Sequence, residues 1–214
     1  MTLYIPPAFK VNDQTALQDH IDKSGMATLV TVGSTGPLIS HVPLYLDRSS
    51  DNFGKLFGHV ARANLQSSDS NPDMRAVAIF RGPDAYISPS WYASKREHGR
   101  VVPTWNYSVV HASGTLKWFD DAEQLLAVVN RLTSIHEAQF PKPWSTDDAP
   151  REFISSQLKG IIGFELSIMS LEGKNKLSQN RSLADQSGVI AGLGVSEKSN
   201  GLAVAELMHD KLKK

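Results

Sequence analysis

The sequence predicts a mainly β protein, a short antiparallel barrel with appended α-helices. Apolar residues alternate with polar ones in several short runs, each bounded by glycine or proline, which is the period of a half-buried strand. These runs have helices between only some of them, so the regular strand–helix alternation of a doubly wound parallel sheet is missing. Of the 214 residues 41% are hydrophobic and 21% charged, the balance of a folded chain able to bury a core. No repeat or linker divides the sequence. A single domain over residues 1–214 is expected, with a helical segment at about 195–214.

After Pro6-Pro7, NDQTALQDHIDKSG reads as a helix, capped by Asn12 or Asp13, with Ala16, Leu17 and Ile21 as its apolar stripe and Gly25 as its stop. MATLVTVGSTGPLISHVPLYLD reads as a β-hairpin turning between Gly33 and Gly36. GKLFGHV is a third strand, ARANLQSS one helical turn, and MRAVAIF a fourth strand, followed by a turn at RGPD and a short strand closed by Pro89. SWYASKREHGRV is a polar, basic and aromatic loop. PTWNYSVVHASGTLKWF is one extended strand with a bend expected at Gly114. The clearest helix runs from about Asp121 to Phe140, with Leu125, Leu126, Val129, Leu132 and Ile135 at helical spacing. REFISSQLKG is a short helix and IIGFELSIMSLEG the last strand. KNKLSQNRSLADQSGVIAGLG is polar and glycine-dotted, and a helix capped by Ser199 or Asn200 follows.

Several chemistries are excluded. The chain has no cysteine, hence no disulfide, thiolate nucleophile or zinc–cysteine site. Gly192 and Gly194 lack the third glycine of a dinucleotide loop, EGKNK is not a phosphate-binding P-loop, and His136-Glu137 meets Phe140 where a zinc helix needs its second histidine. No metal site is expected. Lysine plus arginine number 22 and aspartate plus glutamate 22, which argues against non-specific nucleic-acid binding. The first ten residues lack the basic flank and apolar run of a signal peptide, and no apolar stretch reaches membrane-spanning length. A soluble cytoplasmic protein is expected.

Four stretches are richer in polar and aromatic groups than a plain surface needs. In GHVARAN, a strand followed by a helical turn would aim Arg62, main-chain amides and Asn64 at one anion, the guanidinium being a fixed fork suited to phosphate. An arginine salt-bridged at a strand end is the alternative. In DAYISPSWY, Ser88, Ser90, Trp91 and Tyr92 fit either a packed loop or a pocket. In VPTWNYSVVH, Thr104, Asn106 and Ser108 share one strand face, while Trp105, Tyr107 and Val109 share the other. The polar face could bond a heteroaromatic ligand while the rings pack in the core. In GKNKLSQNR, Lys174, Lys176 and Arg181 surround Ser178, Gln179 and Asn180, whose amides can contact a ring edge as donor and acceptor. His59, His98 and His111 read as structural or surface residues rather than catalytic ones.

LFGHVARAN, FRGPDAYISPSWY, VVPTWNYSVVH, HEAQFPKPW and GKNKLSQNR, with the opening MTLYIPPAF, resemble in order the motifs of PaiB-type proteins, called FMN-binding negative transcriptional regulators. The likeness runs from residue 1 to about Leu193. It implies a split β-barrel of the flavin-reductase and pyridoxamine-phosphate-oxidase type, homodimeric, with FMN between subunits. By position, Arg62, with His59 and the rest of the preceding GHVA, and Asn64 would serve the phosphate. Ser88, Trp91 and Tyr92 would line the pocket, and Thr104, Trp105, Asn106 and Tyr107 would form a wall at the ring or the dimer seam. Lys176, Ser178, Gln179 and Asn180 would close the site.

Two functions follow. One is a flavoprotein whose cofactor carries redox chemistry, with no residue standing out as acid or base catalyst. The other is a regulator acting through DNA or partner binding, for which Lys95, Arg96, Arg100, Lys174, Lys176 and Arg181 offer basic groups, although no helix-turn-helix pair is evident. An apo barrel kept as an interaction module is a third reading.

Overall fold

Apolar alternation sets the sheet. In the computed structural model, which describes residues 3–49, 53–196 and 199–213, the strands are β1 (Lys10–Val11), β2 (Met26–Gly33), β3 (Gly36–Asp47), β4 (Lys55–Ala61), β5 (Ala76–Ile87), β6 (Thr104–Phe119) and β7 (Ile161–Lys176). The helices are α1 (Gln14–Ser24), α2 (Gln66–Asp69), α3 (Ser94–His98), α4 (Ala122–Glu137), α5 (Arg151–Leu158), α6 (Leu183–Gly194) and α7 (Ser199–Leu212). The sheet order is β1-β7-β4-β3-β2-β5-β6, and a further β7–β6 pairing returns the sheet to β7. The β1–β7, β2–β3, β2–β5, β3–β4 and β4–β7 pairs are antiparallel. The fold class is that of the split barrels. Among the described residues no helix is long and apolar enough to cross a membrane.

The chain forms two compact units. Among the described residues the first comprises those of Gln14–Phe80 and His111–Leu171, and the second those of Leu3–Asp13, Arg81–Val110 and Glu172–Lys214. In the first, Ala27, Leu29, Val42, Leu44, Leu56, Val60, Ala78, Phe80, Phe164 and Leu166 are buried from alternate strand positions. Gln66 is buried with them, its Nε2 donating to the Leu29 and Leu38 carbonyls and to Thr31 Oγ1. Helix α1 buries Leu17 and Ile21 as expected, but Ala16 is exposed. Gln18 takes the third inward place, its amide donating to the Phe53 carbonyl at 3.2 Å. Gly25 ends the helix at φ +61°, a left-handed turn. Helix α4 is capped by Asp121, which accepts from the Gln124 N–H at 2.9 Å, and it turns Leu125, Val128 and Leu132 inward. Ile135, expected in its stripe, lies exposed. Gly114 stands in the middle of a continuous β6, where a Cβ would come 1.9 Å from the Ser167 carbonyl oxygen. The glycine permits close approach of a neighbouring strand.

The turn expected within RGPDAYISP is absent, because β5 runs unbroken through Pro83. Within the glycine-dotted stretch after Lys176, Leu183–Gly194 is helical. Its glycines serve packing, since a Cβ on Gly192 would come 2.4 Å from the Trp91 indole, and one on Gly188 would come 2.1 Å from the Trp91 carbonyl oxygen. Helix α7 is already under way at Ser199; residues 197–198 lie outside the described residues, and with them the start at which Ser199 or Asn200 was expected as cap. The core of the second unit gathers Ala85, Ile87, Tyr92, Leu177, Val189, Leu193, Val204, Ala205 and Met208, so both final helices are built into it.

Candidate functional site

The expected site residues divide between the units. His59, Arg62 and Asn64 lie in the first and are described alone; the other eleven lie in the second.

His59 is half-buried on β4, paired in register with Gly163. Its Nδ1 is buried without a hydrogen-bond partner, and burial holds the imidazole below its ordinary pKa. Arg62 donates from Nε to the Lys159 carbonyl at 2.7 Å and from Nη2 to the Ile161 carbonyl at 3.1 Å, with Asp120 3.6 Å from Nη1. The guanidinium thus ties down the exit from α5, with two of its five N–H groups taken by main-chain oxygens. Asn64 donates to Ser40 Oγ at 2.8 Å and accepts from the Gln66 N–H at 2.9 Å. Both ends of that amide are used at the entrance to α2.

In the second unit the expected facing of β6 holds only in part, since Val109 is buried as expected but the rings and the polar side chains exchange places. Asn106 and Ser108 are buried, whereas Trp105 is 53% exposed and Tyr107 half-buried. Trp105 meets Tyr86 edge to face at 6.1 Å between centroids. Asn106, with no exposure at all, donates from Nδ2 to Ser178 Oγ at 3.0 Å and to Met208 Sδ at 3.5 Å. Ser108 donates to Asn175 Oδ1 at 2.6 Å. Buried polar side chains cost stability unless bonded, so the segment after β7 supplies what the inward face of β6 demands.

Ser178 carries the local strain. Among the described residues it alone, glycines aside, has positive φ, at 63°. An L-residue there costs about 1–2 kcal/mol, and such strain concentrates at functional positions. The turn is braced by Arg181 N–H on the Ser178 carbonyl at 2.9 Å and by Gln179, whose Oε1 accepts from the Leu177 N–H at 2.7 Å and whose Nε2 donates to the Asn175 carbonyl. Lys176 Nζ donates to Thr104 Oγ1 and to the Trp105 carbonyl. Burial, followed by the charges of Lys174 and Arg181, holds the Lys176 ammonium below its ordinary pKa.

Tyr92, Val102, Pro103, Thr104, Asn106, Lys176, Ser178, Asn180 and Arg181 line a cavity of about 110 Å³. Six of these are expected site residues. Arg181 lies over the Tyr92 ring at 4.8 Å, and the Tyr92 hydroxyl is buried without a hydrogen bond of acceptable geometry, although Ser178 and Arg181 approach it. Burial raises the phenol's pKa. Ser88 and Trp91 are not among the lining residues: Ser88 caps a 3-10 turn by accepting from the Ser90 N–H, and Trp91 lies on the glycines of α6. Arg181, expected only as a basic group flanking Ser178, Gln179 and Asn180, and Val102 and Pro103, not expected at the cofactor, also line the cavity.

A family described as "Putative FMN-binding domain" matches residues 3–170. The Bacillus subtilis "Protease synthase and sporulation protein PAI 2" is 34% identical over 215 residues, covering 99% of each chain. Among solved structures, a conserved hypothetical protein from Mycobacterium tuberculosis superposes with TM-score 0.58 at 12% identity, over 83% of this chain and 92% of that one. The flavocytochrome Anf3 from Azotobacter vinelandii gives 0.55 at 11% identity, over 78% and 69%. The family match stops before Lys176–Arg181, whereas the Bacillus match takes in nearly the whole chain.

Proposed function

Since the chain belongs to this family of FMN-binding domains, with the PaiB protein of Bacillus subtilis as a nearly full-length relative, we propose that it is a homodimeric flavoprotein holding FMN against the polar pocket of its second unit. The observation that carries this reading is the fully buried Asn106 facing a left-handed, buried Ser178 beside a buried Tyr92 hydroxyl that lacks a well-formed hydrogen bond among the described residues. A fold maintains such an arrangement at a cost, and a polar ligand gives it a use. When bound, FMN supplies electron transfer, and this chain's residues hold and orient it. Thr104, Asn106, Lys176, Ser178 and Asn180 present donors and acceptors, and Trp105 offers a ring face at the rim. None of them stands as an acid or base, so the flavin carries the redox step.

Two apolar surfaces support a dimer. On the first unit, Met26, Val32 and Ile39 are exposed from strand positions facing away from its core. On the second, Tyr86, Val102 and Trp105 are exposed, and aromatic residues are enriched at interfaces. An oxidoreductase role follows from the cofactor; a regulatory role would act through the flavin's state.

The test is FMN titration of purified protein by flavin fluorescence, with mass by sedimentation equilibrium. Stoichiometric quenching, a twofold mass, and at least tenfold weaker FMN binding by Asn106→Leu are expected. Protein that is monomeric and leaves micromolar FMN free would defeat the proposal.

A further inference from the structure

Lys174, Lys176 and Arg181 fall within eight residues, and among the described residues no carboxylate stands within ion-pair distance of any of them. Lys174 is buried between the rings of Tyr4 and Tyr107, its Nζ 5.6 and 5.2 Å from their centroids. Asp185, which couples to Arg181, is itself hydrogen-bonded: it accepts from the Ser94 N–H at 2.9 Å and the Ser94 hydroxyl at 2.8 Å. Burial opposes ionisation of Asp185, but these bonds and the Arg181 charge hold its pKa below the ordinary value. Asp185 offsets part of the Arg181 charge, but Lys174, Lys176 and Arg181 still repel one another, and an anion among them relieves that repulsion.

The size of the cavity narrows the ligand. Pockets that enclose a drug-sized molecule measure roughly 300–1,000 Å³, so 110 Å³ is too small for a three-ring system. A space of that size suits a small anion such as one tetrahedral oxyanion. Its donors suit that shape. Lys176 has three N–H groups and spends two. Arg181 presents a planar fork, and the Tyr92 hydroxyl, on a side chain 2% exposed, makes no hydrogen bond of acceptable geometry among the described residues.

We propose that this cavity is a phosphomonoester site in which Lys176, Arg181 and the Tyr92 hydroxyl hold the phosphate dianion, the role that sequence assigned to Arg62. The ligand chemistry has two sources, the cofactor's own phosphate or a separate phosphorylated molecule. The first rests on the flavoprotein reading; the second does not.

The experiment compares FMN with riboflavin, which lacks the phosphate, on the full chain, and titrates inorganic phosphate by calorimetry. In wild type FMN should bind at least tenfold tighter than riboflavin. Lys176→Met and Arg181→Met should each bring that ratio toward one by weakening FMN more than riboflavin, with circular dichroism showing that the variants fold; Arg181→Lys should keep part of it. This result assigns the site to the cofactor's phosphate. If neither flavin binds, the flavoprotein reading fails, yet phosphate binding that Lys176→Met abolishes still supports the site, for a separate ligand. The same holds if flavins bind without discrimination but phosphate binding depends on Lys176. The proposal is overturned if wild type binds no inorganic phosphate and does not discriminate FMN from riboflavin. It is also overturned if the ratio survives both methionine variants and collapses in Arg62→Ala.

Discussion

Replacing Ser178 separates two energies that the structure superimposes. The side chain is hydrogen-bonded to the fully buried Asn106, while the main chain sits at φ 63°. Ser178→Ala keeps the strained main chain and deletes the hydroxyl's contacts with both ends of the Asn106 amide, leaving it, among the described residues, the Met208 sulfur. Leaving a buried polar group unpaired costs about 1–3 kcal/mol, which for a chain of this size lowers Tm by about 2–12 °C. Ser178→Gly deletes the same bond but enters the left-handed region without a Cβ clash, so it should retain about 1 kcal/mol more than the alanine variant. The assay is urea denaturation of wild type and both variants, followed by circular dichroism. The expected order is wild type, then glycine, then alanine. Alanine as stable as glycine would refute the strain argument, and both equal to wild type would refute the bond.

Gly192→Ala places a methyl 2.4 Å from the Trp91 indole and should cost about 1–3 kcal/mol by overpacking. Combined with Trp91→Ala it should cost less than the sum by at least 0.5 kcal/mol, and strict additivity in a double-mutant cycle would contradict the contact. His59 and His20 both have folded pKa values lowered mainly by burial from an ordinary 6.5. The unfolded chain therefore binds those protons more readily, so stability is full above pH 6.5 and falls as pH drops below it, by at most about 1.4 kcal/mol per pH unit per histidine. Urea midpoints at pH 7.5 and 5.5 should show this decline, and His59→Gln should flatten it; a pH-independent midpoint would count against the assignment.

Much of the sheet was legible because its rule is local. The hairpin of β2 and β3, the strand β6 and the helices α1 and α4 announce themselves by period and by punctuation such as Gly25 and Asp121. What was illegible depended on partners far along the chain. The glycines of α6 lower helix propensity, and only the Trp91 indole, about a hundred residues earlier, explains them. The facing of β6 was only partly right because alternation gives two sets of side chains without saying which is inward. Asn106 and Ser108 look like a polar surface until Ser178 and Asn175 are seen opposite them. Arg62 showed the right chemistry for phosphate, but the carbonyls of Lys159 and Ile161 that take two of its donors lie nearly a hundred residues away. The cluster of Asn106, Lys176, Ser178 and Asn180 was visible as residue types, and its small volume was not.

Strand β7 pairs with β1, β4 and β6, which bears on how the molecule is made. On a ribosome, the hairpin can form early, yet β4 stays without its second neighbour until about a hundred further residues have been translated. Pairings so distant in sequence slow folding, and an unsatisfied strand edge invites association with other nascent chains in the meantime. The interval between synthesis of residues 61 and 176 is therefore the window in which this protein would most need a chaperone.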